Sequence, residues 1–422
     1  MKAQKPAIFS LAFFLLGALY GQTAKDVKKV AKQGASAIPE LQRFLLNPDV
    51  KVRLEAVKAI VDIGGPRTLA PLIEAAGDND AEVQIRATTG LVNFYLPGYV
   101  RTGLTAPIRK FSSDIRSRFY DPDDQTIDAY IVVRADVTQA IGRVARSGSS
   151  LDSRAAAARA LGILRAKPAV PDLIEALRSR DSDVILEALV ALEKIRESSA
   201  CDGIRFLVRD FDERVQTEAL NANGVLACHA ALPDIRQVLS RTDKDKVRRA
   251  ALTALAMMPE RGDHDTFSQY LGSDDERMRA AAAEGFARLA SINDAPLLQS
   301  AFDKETRNTV RLALAFALVM DGNLNMAESA PLRYLIYSLN NNNYRTNAAA
   351  YLTEAARNPE VRRALYQELQ DGTRDEKIYL ARAIAASGDK SSVEHLQKLT
   401  QDPDAQVAQE GVRQLRNLQT RL

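Results

Sequence analysis

Val170-Pro-Asp-Leu-Ile-Glu-Ala-Leu-Arg-Ser-Arg-Asp-Ser-Asp-Val184 decides the fold. Two runs with helical spacing meet there at an acidic turn. Pro171 stands at the start of the first run, where a missing backbone N–H costs little. Asp181 stands before the second, placed as an N-cap to accept otherwise unpaired N–H groups. From Val184 the apolar residues continue through Ala188, Leu192 and Ile195, at i, i+4, i+8 and i+11, one stripe on a helix face.

The pattern recurs in both directions. Asp49, Val52 and Arg53 lead to Ala56, Ile60 and Ile63, and Asp80 leads to Val83 and Ala87. Asp212, Val215 and Ala219 follow the same template, and Val247-Arg248, Met278-Arg279, Val310-Arg311 and Val407 continue it. Successive anchors are 31 residues apart from Val52 to Val83 and from Val184 to Val215, then 32, 31 and 32 apart as far as Val310. Val407 follows 97 residues later, close to three further units. Pro39, Pro71, Pro233, Pro296 and Pro331 mark other first helices, and alanine-rich segments such as Arg154 to Gly162 allow close approach of helix axes. One helix pair cannot bury its apolar face alone, whereas stacked pairs can. The pattern therefore predicts an all-α solenoid of stacked antiparallel helix pairs wound as a right-handed superhelix.

Units such as Leu69-Ala-Pro-Leu-Ile-Glu-Ala-Ala76 and the Val170–Val184 stretch resemble HEAT repeats, and are similar to the short bacterial type also found in phycobilin lyases. The resemblance covers about Lys25 to Leu422. It implies a binding scaffold, and it implies that Arg53, Arg248, Arg279 and Arg311, each one residue past its anchor, bridge neighbouring turns through Asp as a structural ladder. It also offers two enzymatic comparisons. The HEAT-like deoxyhypusine hydroxylases hold two metals with recurring His-Glu pairs, but His229, His264 and His395 here precede Ala230, Asp265 and Leu396. Phycobilin lyases hold a bilin and its apoprotein in the solenoid groove, a role at odds with the export signal described next.

Lys2 and Lys5 precede an uncharged apolar run from Ala7 to Tyr20, followed by small residues near Gly21 and Ala24, the pattern of a secretory signal over residues 1–24. The run is 14 residues long, short of the roughly 20 that span a bilayer. Cleavage is expected, with an uncleaved anchor as the alternative. Export to the periplasm or beyond follows, with no membrane span in the mature chain. Export also gives meaning to Cys201 and Cys228, which fall at the start of one helical run and the end of the next. They are either a disulfide in an oxidising compartment or two independent small core residues.

The 422 residues are 46% hydrophobic and 26% charged, which excludes disordered and collagen-like classes. A formal charge of +3, or +1 without Lys2 and Lys5, is too near neutral for bulk nucleic-acid binding. Zinc spacings, phosphate-binding loops and the Gly-x-Ser-x-Gly nucleophile turn are missing from the sequence. Asp263, His264 and Asp265 read as a solvated turn rather than a metal site. The basic stretch Arg241, Lys244, Lys246, Arg248 and Arg249 reads as a solvated face, and Asn340 to Asn343 as a widened turn. No catalytic, cofactor or metal residues are expected.

The repeats at 25–95 are interrupted over 96–126 and resume over 127–422, with helices expected from about Ile127 to Arg146 and Ser153 to Arg165. A basic helix from Ala106 to Phe119 is expected within the insertion, followed by Asp121, Asp123 and Asp124. Tyr95, Tyr99, Arg101, Arg109, Lys110, Phe111, Arg116 and Arg118 combine aromatic rings with arginine, as interface anchors do. They are either partner contacts or a plug over the interruption. The sequence thus reads as an exported, monomeric, non-catalytic scaffold. It is expected to bind a protein or peptide along the concave face of its second helices, with a self-associating architectural component as the alternative.

Overall fold

A computed structural model of the chain describes residues 23–99, 126–289 and 294–422. Every regular element among them is helical. The export signal's apolar run and the expected Ala106–Phe119 helix lie outside the described residues. Contacts divide the chain into two units, residues 1–127 with 133–204, and 128–132 with 205–422.

The first unit contains α1 (Ala24–Ala31), α2 (Ile38–Phe44), α3 (Val50–Ile63), α4 (Leu69–Ala75), α5 (Ala81–Tyr95), α6 (Ala135–Ser147), α7 (Leu151–Ile163), α8 (Val170–Ala176), α9 (Ser182–Ile195) and the short α10 (Cys201–Ile204). The second helices of the repeats pack in a row, α3 on α5, α5 on α7 and α7 on α9. The stack therefore passes from α5 to α7 across the interruption. Each second helix starts as its sequence requires. Asp49 accepts from the Lys51 N–H at 2.9 Å, Asp80 from Glu82 and Val83 at 3.0 and 3.1 Å, and Asp181 from Val184 at 3.0 Å. The anchors Val52, Val83 and Val184 are fully buried with Ala56, Ile60, Ala87, Ala188 and Leu192. Burial of each large aliphatic side chain contributes about 1.5–3 kcal/mol. Small residues set the helix spacing: a Cβ on Gly162 would stand 2.7 Å from the Ala191 Cα.

The second unit contains α11 (Glu213–Val225), α12 (Leu232–Arg241), α13 (Asp245–Met257), α14 (His264–Leu271), α15 (Glu276–Leu289), α16 (Ala295–Lys304), α17 (Asn308–Met320), α18 (Pro331–Tyr337), α19 (Arg345–Ala355), α20 (Pro359–Asp371), α21 (Arg374–Ser387), α22 (Ser392–Leu399) and α23 (Ala405–Arg421). Here α11, α13, α15, α17, α19, α21 and α23 form the row of second helices. Asp212 and Asp404 cap α11 and α23. Gly224 meets Ala254 as Gly162 meets Ala191, with a Cβ position 2.9 Å from the Ala254 Cα.

One boundary differs from expectation. The helix expected from Ile127 begins at Ala135. Ile131, Val132 and Val133 are β-branched and poor helix starters. Ile127 instead turns inward, 4% exposed, and donates its N–H to the Ile163 carbonyl at 3.0 Å. The residues 128–132 group with the second unit, where Asp128 accepts from Arg413 at 2.9 Å and the Ala129 N–H donates to Asn417 at 3.1 Å.

Candidate functional site

The residue following each anchor has a recurrent local task. The guanidinium of Arg53 reaches the Asn47 carbonyl six residues back, at 3.0 Å, sealing the C-terminal end of the preceding helix. Gln84 does the same to Asp78, Arg248 to Thr242, Arg279 to Ser273, Arg345 to Leu339 and Arg362 to Ala356, at 2.6–2.8 Å. Several of these arginines also engage an acid in the next turn. Arg53 pairs with Asp78 at 2.7 Å, Arg279 with Glu305 at 2.9 Å, Arg345 with Asp375 and Arg362 with Asp389. Arg249, one position further on, pairs with Asp275 at 2.6 Å.

Two of the four expected ladder arginines depart from that scheme. Arg248 stays within its own turn, 3.0 Å from Asp245. Arg311 makes no ion pair among the described residues. Its guanidinium carbon lies 4.6 Å from the Phe302 ring centroid and 5.2 Å from that of Tyr334. Those two rings meet edge to face at 79°, with centroids 5.9 Å apart. The Arg311 Nε is buried with no hydrogen-bond partner.

The other predicted site residues are placed as follows. Tyr95 is buried, 8% exposed, and its hydroxyl accepts the Arg134 N–H at 3.1 Å. It therefore serves the interior of the first unit and not an exposed contact. Tyr99 is half-buried at the end of α5's following turn, where its N–H donates to the Leu96 carbonyl at 3.1 Å. Arg101, Arg109, Lys110, Phe111, Arg116 and Arg118 lie outside the described residues. Cys201 and Cys228 are both disulfide-bonded.

The solvated turn expected at His264 is more structured than its sequence implied. Asp263 is buried and accepts from the Arg236 Nε at 2.8 Å. The His264 ring turns to Asp294 at 3.0 Å and packs edge-on against Phe286. Asp294, then Asp265 at 3.4 Å, holds the imidazolium above its ordinary range. Nearby, both carboxylate oxygens of Asp321 are buried without a hydrogen-bond partner, and burial, then the charge of Asp294, pushes its pKa up to about 6. Among the described residues no group of three or more His, Cys, Asp or Glu side chains is arranged to hold a metal ion. No helix among them is long and apolar enough to cross a membrane.

Sequence reasoning missed two further features. Glu187, 3% exposed in the middle of α9, accepts from the Arg159 Nε of α7 at 2.9 Å. A cavity of about 460 Å³ opens beside the turns of the same unit, lined by Arg146, Leu151, Arg154, Glu175, Arg178 and Arg180. Arg146 there is engaged by Asp172 and Arg178 by Glu175, so much of its charge is already matched.

Residues 20–92, 138–224 and 232–319 match the family profile described as HEAT repeats. No curated protein sequence matches the chain. Among solved structures, an engineered protein aligns at 20% identity over 90% of this chain and 98% of its own, with a TM-score of 0.37. The complex of CpcE and CpcF of phycocyanin lyase from Nostoc sp. aligns at 17% identity over 64% of this chain and 94% of that one, with a TM-score of 0.39. Importin beta aligns at 13% identity over 91% of this chain and 57% of its own, with a TM-score of 0.37. At these distances none of the three carries an argument about activity or partner.

Proposed function

The chain belongs to the HEAT-repeat family, and from that premise we propose that it is an exported, non-catalytic scaffold that binds a protein or peptide along the second-helix faces of its repeats. One observation carries this reading. Within each unit the second helices pack side by side in an unbroken row, including across the interruption between α5 and α7. A row of this kind offers a continuous surface with a regular spacing of side chains, which suits an extended partner. The polar residues that recur at the turns are engaged in holding the repeats together, as Arg53 with Asp78 and Arg279 with Glu305 show. Export to the periplasm or beyond is part of the proposal and is supported by the leader-like sequence from Lys2 to Ala24.

Affinity capture from envelope extract tests the reading. The intact chain is compared with one in which residues 96–125 are replaced by a short linker, after circular dichroism shows equal helix content. Recovery of the same partner by both forms assigns binding to the repeats. Recovery only by the intact chain assigns it to the insertion. Recovery of nothing but the chain itself overturns the scaffold reading in favour of a self-associating architectural role.

A further inference from the structure

We infer that Arg311 is a binding site for a carboxylate side chain of an acidic peptide, an open rung of the arginine–acid ladder that a partner completes. This rests on the reading of the chain as a peptide-binding scaffold and names the chemistry of one contact.

The repeats themselves define what is missing. At Arg53 and Arg279 the arginine after the anchor has two partners, the carbonyl six residues back and an acid before the next second helix. That acid has a fixed local geometry. Asp78 accepts the N–H of Asp80 and Glu305 accepts the N–H of Arg307, each two residues on, while the side chain also receives the guanidinium. Asp78 and Glu305 stand six residues before Gln84 and Arg311, and the position six before the next such arginine, Arg345, is held by Leu339, which is buried and offers only its backbone carbonyl, to Arg345 itself. The rung beyond Arg311 therefore has no carboxylate to offer a guanidinium. The Arg311 guanidinium also forgoes the carbonyl contact and makes no hydrogen bond among the described residues.

The guanidinium is nevertheless held in place. Phe302 is 2% exposed and fixed in the core, Tyr334 stands edge to face against it, and the cation rests in the corner between the two rings. The Tyr334 hydroxyl donates to Asn308 at 3.3 Å, which steadies the outer ring. Arg311 is half-buried, so part of it meets solvent. A charged fork positioned by stacking, with its donors unused, loses little freedom when it binds a planar oxyanion. The other rungs show which oxyanion the turn accommodates: Asp78, Glu305, Asp375 and Asp389 are all carboxylates.

The test measures binding of a fluorescein-labelled peptide of alternating Glu and Asp to the full chain by fluorescence anisotropy at low ionic strength. Neutral Gln/Asn, basic Lys and phosphoserine peptides of equal length serve as comparisons. The expected result is preference for the acidic peptide, with affinity falling about tenfold in Arg311→Gln. The loss in Arg277→Gln, which removes the same charge from a neighbouring turn, should be less than about twofold. Equal losses in Arg311→Gln and Arg277→Gln would show diffuse electrostatics and overturn the site. Preference for the phosphoserine peptide would overturn the carboxylate assignment. Binding of the neutral or basic peptide alone would overturn this inference and leave the scaffold reading standing. If no peptide binds, the inference fails, and envelope capture decides the scaffold reading separately.

Discussion

Arg288 grips Glu354 with both prongs of its guanidinium, Nε to Oε1 and Nη2 to Oε2, each at 2.7 Å. The pair joins α15 to α19, while Phe316 of the intervening α17 stacks on Tyr351 with centroids 4.8 Å apart. Tyr351 donates its hydroxyl to Glu284 at 2.6 Å, and Arg288 also reaches the Ala256 carbonyl at 2.9 Å. Three consecutive second helices are thereby clasped around one aromatic stack. Arg288 is 15% exposed in its side chain, so removal of Glu354 leaves a largely buried cation with only Glu284, 3.4 Å away, to match it. Glu354→Ala should destabilise the second unit by about 3 kcal/mol. Tyr351→Phe should cost about 1 kcal/mol. A double-mutant cycle on the urea midpoint should show the two coupled; additive losses would separate the ion pair from the stack.

Asp321 makes stability fall with rising pH. Its folded pKa of about 6 lies above its ordinary value of 3.8, because burial and then Asp294 disfavour the charge. Between those values the folded chain keeps a proton that the unfolded chain has released, so stability is highest below the lower value and declines as pH rises through the upper. His264, also raised, acts in the same direction at higher pH, since its bond to Asp294 is strongest when the ring is charged. Asp321→Asn should raise stability at pH 7 by about 1–2 kcal/mol, allowing for solvent screening, and by almost nothing at pH 4. Thermal melts across that range would refute the assignment if the gain were independent of pH.

Ion pairs in this chain differ in worth according to burial. Arg53 and Asp78 are each 10% exposed in their side chains, whereas Arg178 and Glu175 are 71% and 45% exposed. Asp78→Ala should therefore cost about 3 kcal/mol, because Arg53 remains buried without its acid. Glu175→Ala should cost less than about 0.5 kcal/mol. Chemical denaturation of the two variants gives the comparison directly, and equal losses would contradict it.

Cys201 and Cys228 should show no free thiol in denaturant until reductant is added. Loss of the link through Cys201→Ala with Cys228→Ala should lower stability by about 3 kcal/mol on the chain-entropy account. A thiol assay on the purified, unreduced chain distinguishes this from two unlinked core cysteines, which would react once unfolded.

The repeat was legible because its signals are local. Asp49, Asp80, Asp181, Asp212 and Asp404 each sit beside the N–H groups they cap, and Val52 or Val184 needs only helical spacing to find the core. The task of Arg311 was not legible, since Phe302 and Tyr334 lie 9 and 23 positions away and the angle between their rings is set by packing. Asn340 to Asn343 read only as a widened turn, whereas Asn341 takes the cap position that Asp49 holds elsewhere, accepting the Asn343 N–H. Tyr95 stayed open between partner contact and plug for a related reason. An aromatic residue beside an interruption has the composition of an interface anchor, and only the Arg134 N–H on its hydroxyl shows that it faces inward.

The bond between Tyr95 and Arg134 also bears on how this chain tolerates change. It ties together two points 39 residues apart, and the Ile127 N–H on the Ile163 carbonyl secures the returning strand of chain close by. The second helices on either side of the interruption touch each other directly. Lengthening the connection between them is cheap, since each doubling of a loop adds only about 0.6 kcal/mol of closure entropy. The place where the repeat breaks is thus a grafting port, open to new sequence while the surrounding stack keeps its spacing.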